Sequence, residues 1–189
     1  MRSRLALRTI DLLCAFTGLL LLSPLFVILP VVCHLDSGQA FFRQTRVGKG
    51  KKPFTMWKFC TMAVATEWLP THQIDQSSIT LTSKFLRRTK LDELPQLINV
   101  LRGEMSLVGP RPCMFSQKDL ILERDVKKIF EALPGITGLA QINGIDMSDP
   151  LRLAEFDEKM IRELTVANYF KYLLLTALGR GSGDRVRSQ

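Results

Sequence analysis

The charged residues between Arg87 and Arg111 are of the types that bind phosphate groups and a divalent cation. Two adjacent carboxylates, Asp92 and Glu93, follow Arg87, and Arg111 lies in a Gly-Pro-Arg-Pro sequence further along the chain. Carboxylate oxygens suit hard cations such as Mg²⁺, and guanidinium groups bind phosphate oxygens in pairs. The pattern therefore predicts a site for a phosphorylated substrate. A simpler interpretation of the same spacing is that Asp92 only caps a helix and the arginines form a solvated face.

A short helix is predicted to position these carboxylates. The spacing i, i+3, i+4 and i+7 expected of one helical face is occupied by Leu94, Leu97, Ile98 and Leu101. Thr89 and Asp92 are both possible N-caps, but a helix that starts at Thr89 would contain Pro95 in its interior, at about 3 kcal/mol. We therefore expect Asp92 to be the N-cap and Gly103 to end the helix. Both carboxylates would then lie at the positive end of the helix dipole.

The sequence around this helix resembles the signature of the bacterial sugar transferases, the monotopic phosphoglycosyl transferases. The matching stretch is L-D-E-L-P-Q-L-I-N-V-L-R-G-E-M-S-L-V-G-P-R-P, and further similar runs occur at residues 42–50, 57–62 and 134–144. The resemblance implies an Mg²⁺-dependent enzyme that moves a sugar-1-phosphate from a UDP-sugar to a polyprenyl phosphate and releases UMP.

The resemblance also implies roles for individual residues. Asp92 would be a nucleophile that forms a covalent aspartyl-phosphosugar, and Glu93 would bind Mg²⁺. Phosphate groups would contact Lys58, Arg87 and Arg111. In a competing mechanism the lipid phosphate attacks directly, with Asp92 as a base or a second metal ligand.

Two positions depart from the family pattern. An arginine is frequent in the family where this chain has Cys60, and an arginine commonly follows Asn-Gly where this chain has Ile145. We therefore assign no role to either position from the resemblance.

An apolar segment at residues 10–35 predicts a membrane anchor. As a straight helix, residues 12–33 would extend about 33 Å, enough to cross the hydrocarbon core. Ser23-Pro24 interrupts the segment, and basic residues flank both of its ends. Because the positive-inside rule places both flanks in the cytoplasm, we predict a re-entrant helix that breaks at Ser23 and Pro24. A kinked spanning helix is the alternative.

Composition limits the classes of partner. The net charge of +8 suits phosphorylated substrates and anionic membrane lipid. We find no zinc-ligand spacing and no reading helix, so nucleic acid is not a predicted partner. The four cysteines form no C-x-x-C pair, which favours reduced thiols. His72 has no second histidine at metal-ligand spacing and is not predicted to be functional.

We predict a mainly helical α+β fold, in which a re-entrant anchor (residues 1–38) precedes a small cytoplasmic catalytic domain (residues 39–178) and a disordered tail (residues 179–189). Residues 54–59 are expected to form a strand and residues 63–83 a loop. Amphipathic helices are expected at residues 117–133, 151–164 and 168–178. The last two could pack in the core or lie in the membrane interface. The expected location is the cytoplasmic face of a bacterial inner membrane.

A non-catalytic adaptor whose basic surface binds anionic lipid is the alternative function. It accounts for the charge and the apolar segment. It gives no reason for carboxylates, arginines and a Pro-Arg-Pro turn to occur together around one helix start.

Overall fold

A computed structural model describes residues 2–61 and 80–181, with the side chains of residues 2–4 left out. Within these ranges the chain forms eight α-helices and two small two-stranded sheets. The predicted mixture of helix and sheet, with helix predominating, is therefore confirmed. His72, most of the predicted loop at residues 63–83, and residues 182–189 of the predicted tail lie outside the described residues. The domain boundaries stay predictions.

The N-terminal apolar segment is broken where the sequence predicted. Helix α1 (Arg2–Leu21) and helix α2 (Ser23–Ser37) meet at an angle of 67°. Ser23 begins α2, and Pro24 lies in its first turn, where no backbone donor is needed. Among the described residues no single helix has both the length and the apolar character to cross a membrane. The bent pair meets that test of length and composition together, and its topology stays a prediction.

A β-hairpin follows the two helices. Strand β1 (Phe41–Val47) pairs antiparallel with strand β2 (Pro53–Phe59), and Phe41 lies opposite Phe59. The turn between the strands needs a left-handed backbone, which Gly50 supplies at a φ of +64°. The predicted strand at residues 54–59 is thus confirmed, and it carries Lys58 toward the acidic motif, the pair Asp92 and Glu93.

The acidic motif lies in a tight turn between two helices rather than at a helix cap. Helix α3 (Leu81–Thr89) ends at Lys90, whose φ of +57° is left-handed, and Leu91–Glu93 then form one 3₁₀ turn. Helix α4 (Gln96–Leu101) begins after Pro95. The prediction of Asp92 as N-cap is wrong, because the amides of Leu94, Leu97 and Ile98 bond to the third preceding carbonyl and α-helical bonding has not begun.

The prediction of which side chains form the buried face of α4 is only partly correct. Leu97 is buried, but Leu101 is exposed, whereas the polar residues Gln96 and Asn99 are buried. Gly103 follows the helix with a φ of +82°, in agreement with its predicted role as terminator.

The second sheet fixes the path of the Gly-Pro-Arg-Pro sequence. Strand β3 (Ser106–Val108) pairs in parallel with strand β4 (Gly135–Thr137). Gly109 donates to the Thr137 carbonyl at 2.8 Å, and Gly135 donates to the Pro110 carbonyl at 2.9 Å. A Cβ atom on either glycine would collide with the backbone of the other. The two segments can therefore approach this closely only because both residues are glycines.

Four helices complete the fold: α5 (Lys118–Val126), α6 (Leu139–Ile142), α7 (Pro150–Glu163) and α8 (Val166–Ala177). Helices α7 and α8 confirm the helices predicted at residues 151–164 and 168–178. The helix predicted at residues 117–133 is too long. Helix α5 ends at Val126, and Lys128 then adopts a left-handed backbone with a φ of +55°. The side chain of the next residue, Ile129, is buried.

Helix α1 packs against α4 and β3, so the N-terminal helix is part of the same core as the acidic motif. The main apolar cluster joins residues that are far apart in the sequence, including Ala15, Met56, Val100, Met105, Met160 and Tyr169.

Candidate active site

Asp92 and Glu93 are both buried in the turn between α3 and α4. Their exposed fractions are 6% and 7%, values that are rare for carboxylates without a partner. The turn packs against α3 on one side and β2 on the other. The carboxylates therefore face cationic side chains from other elements.

Lys58 reaches the acidic pair from strand β2. Its Nζ lies 2.7 Å from Glu93 Oε1 and 4.0 Å from Asp92 Oδ2. The ammonium group is itself largely buried, so solvent screens these interactions weakly.

Arg111 also reaches Glu93, from the Pro-Arg-Pro turn. Both terminal nitrogens of its guanidinium group lie 3.4 Å from Glu93 Oε1. Lys58 and Arg111 thus share one oxygen of Glu93. The structure brings together four of the five residues for which the sequence predicted catalytic or phosphate-binding roles, and those roles stay predictions.

The fifth residue, Arg87, lies in the last turn of α3. Among the described residues Arg87 forms no ion pair within 4 Å, and its buried Nη1 has no hydrogen-bond partner there. Its positive charge still acts on Asp92. Arg87 therefore lies near Asp92, and its phosphate contact stays a prediction.

The two carboxyl groups differ in their affinity for a proton. Burial raises the pKa of Asp92 to about 6, against the opposing charge of Lys58. Burial also acts to raise the pKa of Glu93, but Lys58 and Arg111 outweigh it and hold that pKa well below its usual range. The pKa shifts therefore favour the ionised form of Glu93 and the protonated form of Asp92, each relative to an exposed carboxyl group.

Glu93 retains one oxygen for a ligand. Its Oε2 is buried and has no hydrogen-bond partner among residues 2–61 and 80–181. In those ranges no three His, Cys, Asp or Glu residues converge as a metal site. An Mg²⁺ ion would therefore have few carboxylate ligands from the protein, which fits an ion that completes its coordination with phosphate oxygens and water.

A narrow cleft opens beside Glu93. Its lining residues come from β1, β2, the 3₁₀ turn, α4, the Pro-Arg-Pro turn and β4: Arg46, Met56, Glu93, Gln96, Arg111, Pro112 and Gly135. Arg46 donates to the Pro112 carbonyl at 3.3 Å and to Gln44. From the sequence alone, Arg46 counted only among the basic residues that follow the apolar segment at residues 10–35. Its position in the cleft was therefore not predicted. Gln96 was missed as well.

The buried ion pair of Arg124 and Asp157 contacts the backbone carbonyl of Arg111. Arg124 donates to Asp157 at 2.6 and 3.0 Å and to the Arg111 carbonyl at 2.8 Å. Asp157 is almost fully buried, and no role was predicted for it. The available signal was a carboxylate four residues after Leu153 and three before Met160, two residues that are also buried in α7.

Asp11 of helix α1 connects the N-terminal helix to this region. Its exposed fraction is 2%, and its Oδ1 accepts hydrogen bonds from Ser106 Oγ at 2.9 Å, the Leu107 amide at 2.8 Å and the Tyr169 hydroxyl at 2.5 Å. Arg8 donates to the carbonyls of α4 and the loop after it. The sequence treated Arg8 as part of a membrane flank. A lone acidic residue in an apolar segment was the signal for Asp11.

The two positions that depart from the family pattern lie in apolar surroundings. Cys60 is buried directly after β2, and Ile145 packs against the apolar cluster that contains Val47 and Leu153.

Comparisons with known proteins match nearly the whole chain. A family model described as bacterial sugar transferase matches residues 2–180. The UDP-glucose:undecaprenyl-phosphate glucose-1-phosphate transferase of Escherichia coli is 40% identical over 92% of this chain and 40% of that protein. The undecaprenyl-phosphate galactose phosphotransferase of Salmonella typhimurium is 34% identical over 93% of this chain and 40% of that protein.

A relative of more similar length is the exopolysaccharide production protein ExoY of Rhizobium meliloti. It is 35% identical, and the match covers 94% of this chain and 88% of that protein. The chain thus spans less than half the length of the first two relatives and most of the third.

Proposed function

The chain belongs to the bacterial sugar transferase family, and on that premise we propose that it transfers a sugar-1-phosphate from a UDP-sugar to undecaprenyl phosphate and releases UMP. The observation that carries the proposal is the buried pair Asp92 and Glu93 with Lys58 and Arg111 against it. The names of the relatives support the two substrates.

The first step is attack by Asp92 on the donor. A carboxylate oxygen of Asp92 forms a bond to the β-phosphorus of the UDP-sugar. The bond from that phosphorus to the bridging oxygen breaks, and UMP leaves with the oxygen and the electron pair. Asp92 suits this step because its pKa of about 6 leaves it mostly ionised at pH 7 and more basic than an exposed aspartate.

The second step is attack by the lipid phosphate. An oxygen of undecaprenyl phosphate bonds to the phosphorus of the aspartyl-phosphosugar, and the bond to Asp92 breaks. The carboxylate is restored and the diphosphate linkage is remade on the lipid. No proton has to be gained or lost at Asp92 in either step.

Cationic groups make the approach of an anion to the donor possible. Arg111 and Lys58 already neutralise Glu93, and Arg87 lies near Asp92, so a diphosphate entering the cleft meets positive charge on several sides. Mg²⁺, with Glu93 Oε2 as its protein ligand, would neutralise further phosphate charge.

Undecaprenyl phosphate is a membrane lipid, so the proposed reaction takes place at a membrane surface. The bent pair of α1 and α2 is the part of the described chain with the composition to enter the bilayer. We propose that it enters and leaves by the cytoplasmic face of the inner membrane, with the catalytic residues on that side.

The proposal is tested by exchange without a lipid acceptor. Purified protein in detergent is incubated with a UDP-sugar, labelled UMP and Mg²⁺, across the donors UDP-glucose and UDP-galactose. We expect label to enter the UDP-sugar and the protein to gain the mass of one phosphosugar. Excess chelator should stop the exchange, and Asp92→Asn should lose both signals.

Asp125→Asn is the matched control, because Asp125 is an exposed aspartate paired with Lys51 away from the site. It should exchange like the wild type. If protein that transfers to lipid shows neither exchange nor adduct, direct attack by the lipid phosphate replaces the two-step route. Full activity in excess chelator would contradict the role of Mg²⁺.

A further inference from the structure

Gln96 is a buried polar residue of the cleft, and no contact within the described part of the fold accounts for its side-chain amide donor. It is the first residue of α4, its exposed fraction is 2%, and it lines the cleft beside Glu93 and Arg111. Its Nε2 has no hydrogen-bond partner among the described residues. A buried amide donor without an acceptor costs free energy, so selection for stability alone would not place it there.

Asn99, the next buried amide of the same helix, shows what a structural role requires. Its Nδ2 donates to the Thr55 carbonyl at 2.8 Å and to Glu104 at 2.6 Å, and its Oδ1 accepts from the Trp57 amide at 3.3 Å. The bonds to Thr55 and Trp57 join α4 to β2, and the bond to Glu104 holds the loop after α4. Gln96 makes no such bond from its Nε2, although it lies one turn away in the same helix.

The charges around Gln96 indicate what its acceptor would be. The cleft contains the guanidinium groups of Arg46 and Arg111, which attract an anion. Glu93 beside it also has an unpartnered buried oxygen, Oε2, which accepts and cannot donate. A phosphate oxygen near a cation on Glu93 would satisfy both residues at once.

We infer that Gln96 is a substrate-binding residue whose Nε2 donates a hydrogen bond to a non-bridging oxygen of the β-phosphate of the UDP-sugar. The inference rests on the proposed function. The β-phosphorus is the atom that is transferred, so this donor would stabilise the charge that develops on its oxygens. A neutral donor does so without adding a further positive charge to the crowded site.

The test uses Gln96→Met, which keeps an unbranched side chain of similar size and removes the donor. Thermal unfolding of the purified protein is measured in Mg²⁺ alone and with UMP, UDP or UDP-glucose. We expect the variant to melt no lower than the wild type without nucleotide, because an unpaired buried amide has been removed. UDP and UDP-glucose should stabilise the variant less than the wild type, whereas UMP, which has no β-phosphate, should act equally on both.

In steady-state assays the same variant should lose turnover by on the order of 100-fold, as when one oriented donor is removed from another enzyme. Gln117→Met is the matched control. Gln117 Oε1 accepts from the Met114 amide at 2.9 Å, outside the cleft, so its loss should lower the melting temperature and leave the nucleotide responses unchanged.

Each other outcome counts against the inference in a different way. A lower melting temperature for Gln96→Met with normal responses to UDP would show that a buried water satisfies the amide and that its role is structural. A loss confined to UDP-glucose would move the contact from the phosphate to the sugar. If the wild type responds to none of the three nucleotides, the proposed function itself is wrong.

Discussion

At the scale of single residues, the site separates two neighbouring carboxylates by their surroundings. Glu93 faces Lys58 and Arg111 at contact distance, and Asp92 lies further from both. Burial therefore dominates at Asp92 and positive charge dominates at Glu93. One carboxylate is thus suited to hold a cation at every physiological pH, and the other is suited to react as a nucleophile.

The raised pKa of Asp92 predicts a pH dependence of activity. The reactive form is the carboxylate, so kcat/KM should fall as the pH drops below about 6 and level off above it. Lys58 lowers the pKa of Asp92, so Lys58→Met should move this rise to higher pH as well as reduce the rate. The measurement is kcat/KM for the UDP-sugar between about pH 5 and pH 8, at saturating Mg²⁺.

Lys51→Met is the control for this profile. Lys51 pairs with Asp125 on the exposed surface, so its loss should leave the midpoint unchanged. A wild-type profile that is flat across this range would contradict an ionisable Asp92 as the nucleophile.

The sequence identified the charged members of the site but not its buried amides. Asp92, Glu93 and Arg111 lie in one long motif, and their residue types suffice to suggest phosphate chemistry. Gln96 and Asn99 lie on a predicted polar helix face, where glutamine and asparagine are usually solvated. Their burial depends on β2 and the Pro-Arg-Pro turn packing over that face, and spacing within one helix does not contain this information.

At the scale of elements, the contact of α1 with the catalytic core is more than apolar packing. Asp11 accepts three hydrogen bonds, of which two come from β3 and one from α8, and β3 leads directly into the Pro-Arg-Pro turn. The helix that is proposed to enter the membrane is therefore bonded to the strand that positions Arg111.

Removal of the Asp11 carboxylate should destabilise the protein strongly. Asp11→Ala leaves the Ser106 hydroxyl, the Leu107 amide and the Tyr169 hydroxyl without their acceptor in a buried place. The expected loss is about 3 kcal/mol or more of the free energy of unfolding, measured by denaturant titration in detergent.

Asp149→Ala serves as the comparison, because Asp149 caps α7 at the surface through the Arg152 amide. Loss of such a cap costs about 1 kcal/mol. Equal losses for the two variants would mean that Asp11 contributes no more than an exposed cap.

Predictions of elements succeeded where one residue type decides the outcome. Pro24 removes a backbone donor, and the helix breaks next to it. The start of α4 was misplaced because Pro95 was assigned to the first turn of a helix capped by Asp92, whereas Leu91–Glu93 form a 3₁₀ turn and α4 begins only after Pro95. The end of α5 was missed because a lysine, Lys128, takes the left-handed conformation that glycine usually marks.

At the scale of the whole molecule, the re-entrant model predicts that the N-terminus and the catalytic domain share one side of the membrane. Single cysteines at Leu5 and Lys52, both exposed, can be introduced into a cysteine-free variant and treated with an impermeant thiol reagent. We expect neither site to react in intact cells and both to react after the membrane is opened.

A cysteine at exposed Leu122 in α5 provides a catalytic-domain reference for the same experiment. It should behave like the cysteine at residue 52. Reaction of the residue 5 cysteine alone in intact cells would establish a kinked spanning helix instead.

The bonds of Asp11 also set an order of events during synthesis. Asp11 leaves the ribosome before the three residues that donate hydrogen bonds to it, and Tyr169 follows it by 158 residues. At about 5 to 20 residues per second, this interval lasts roughly 8 to 30 s. Throughout that time the Asp11 carboxylate has Arg8 beside it but lacks its three hydrogen-bond donors. If α1 enters the membrane as proposed, we expect it to reach its final depth only after the catalytic core has closed on Asp11.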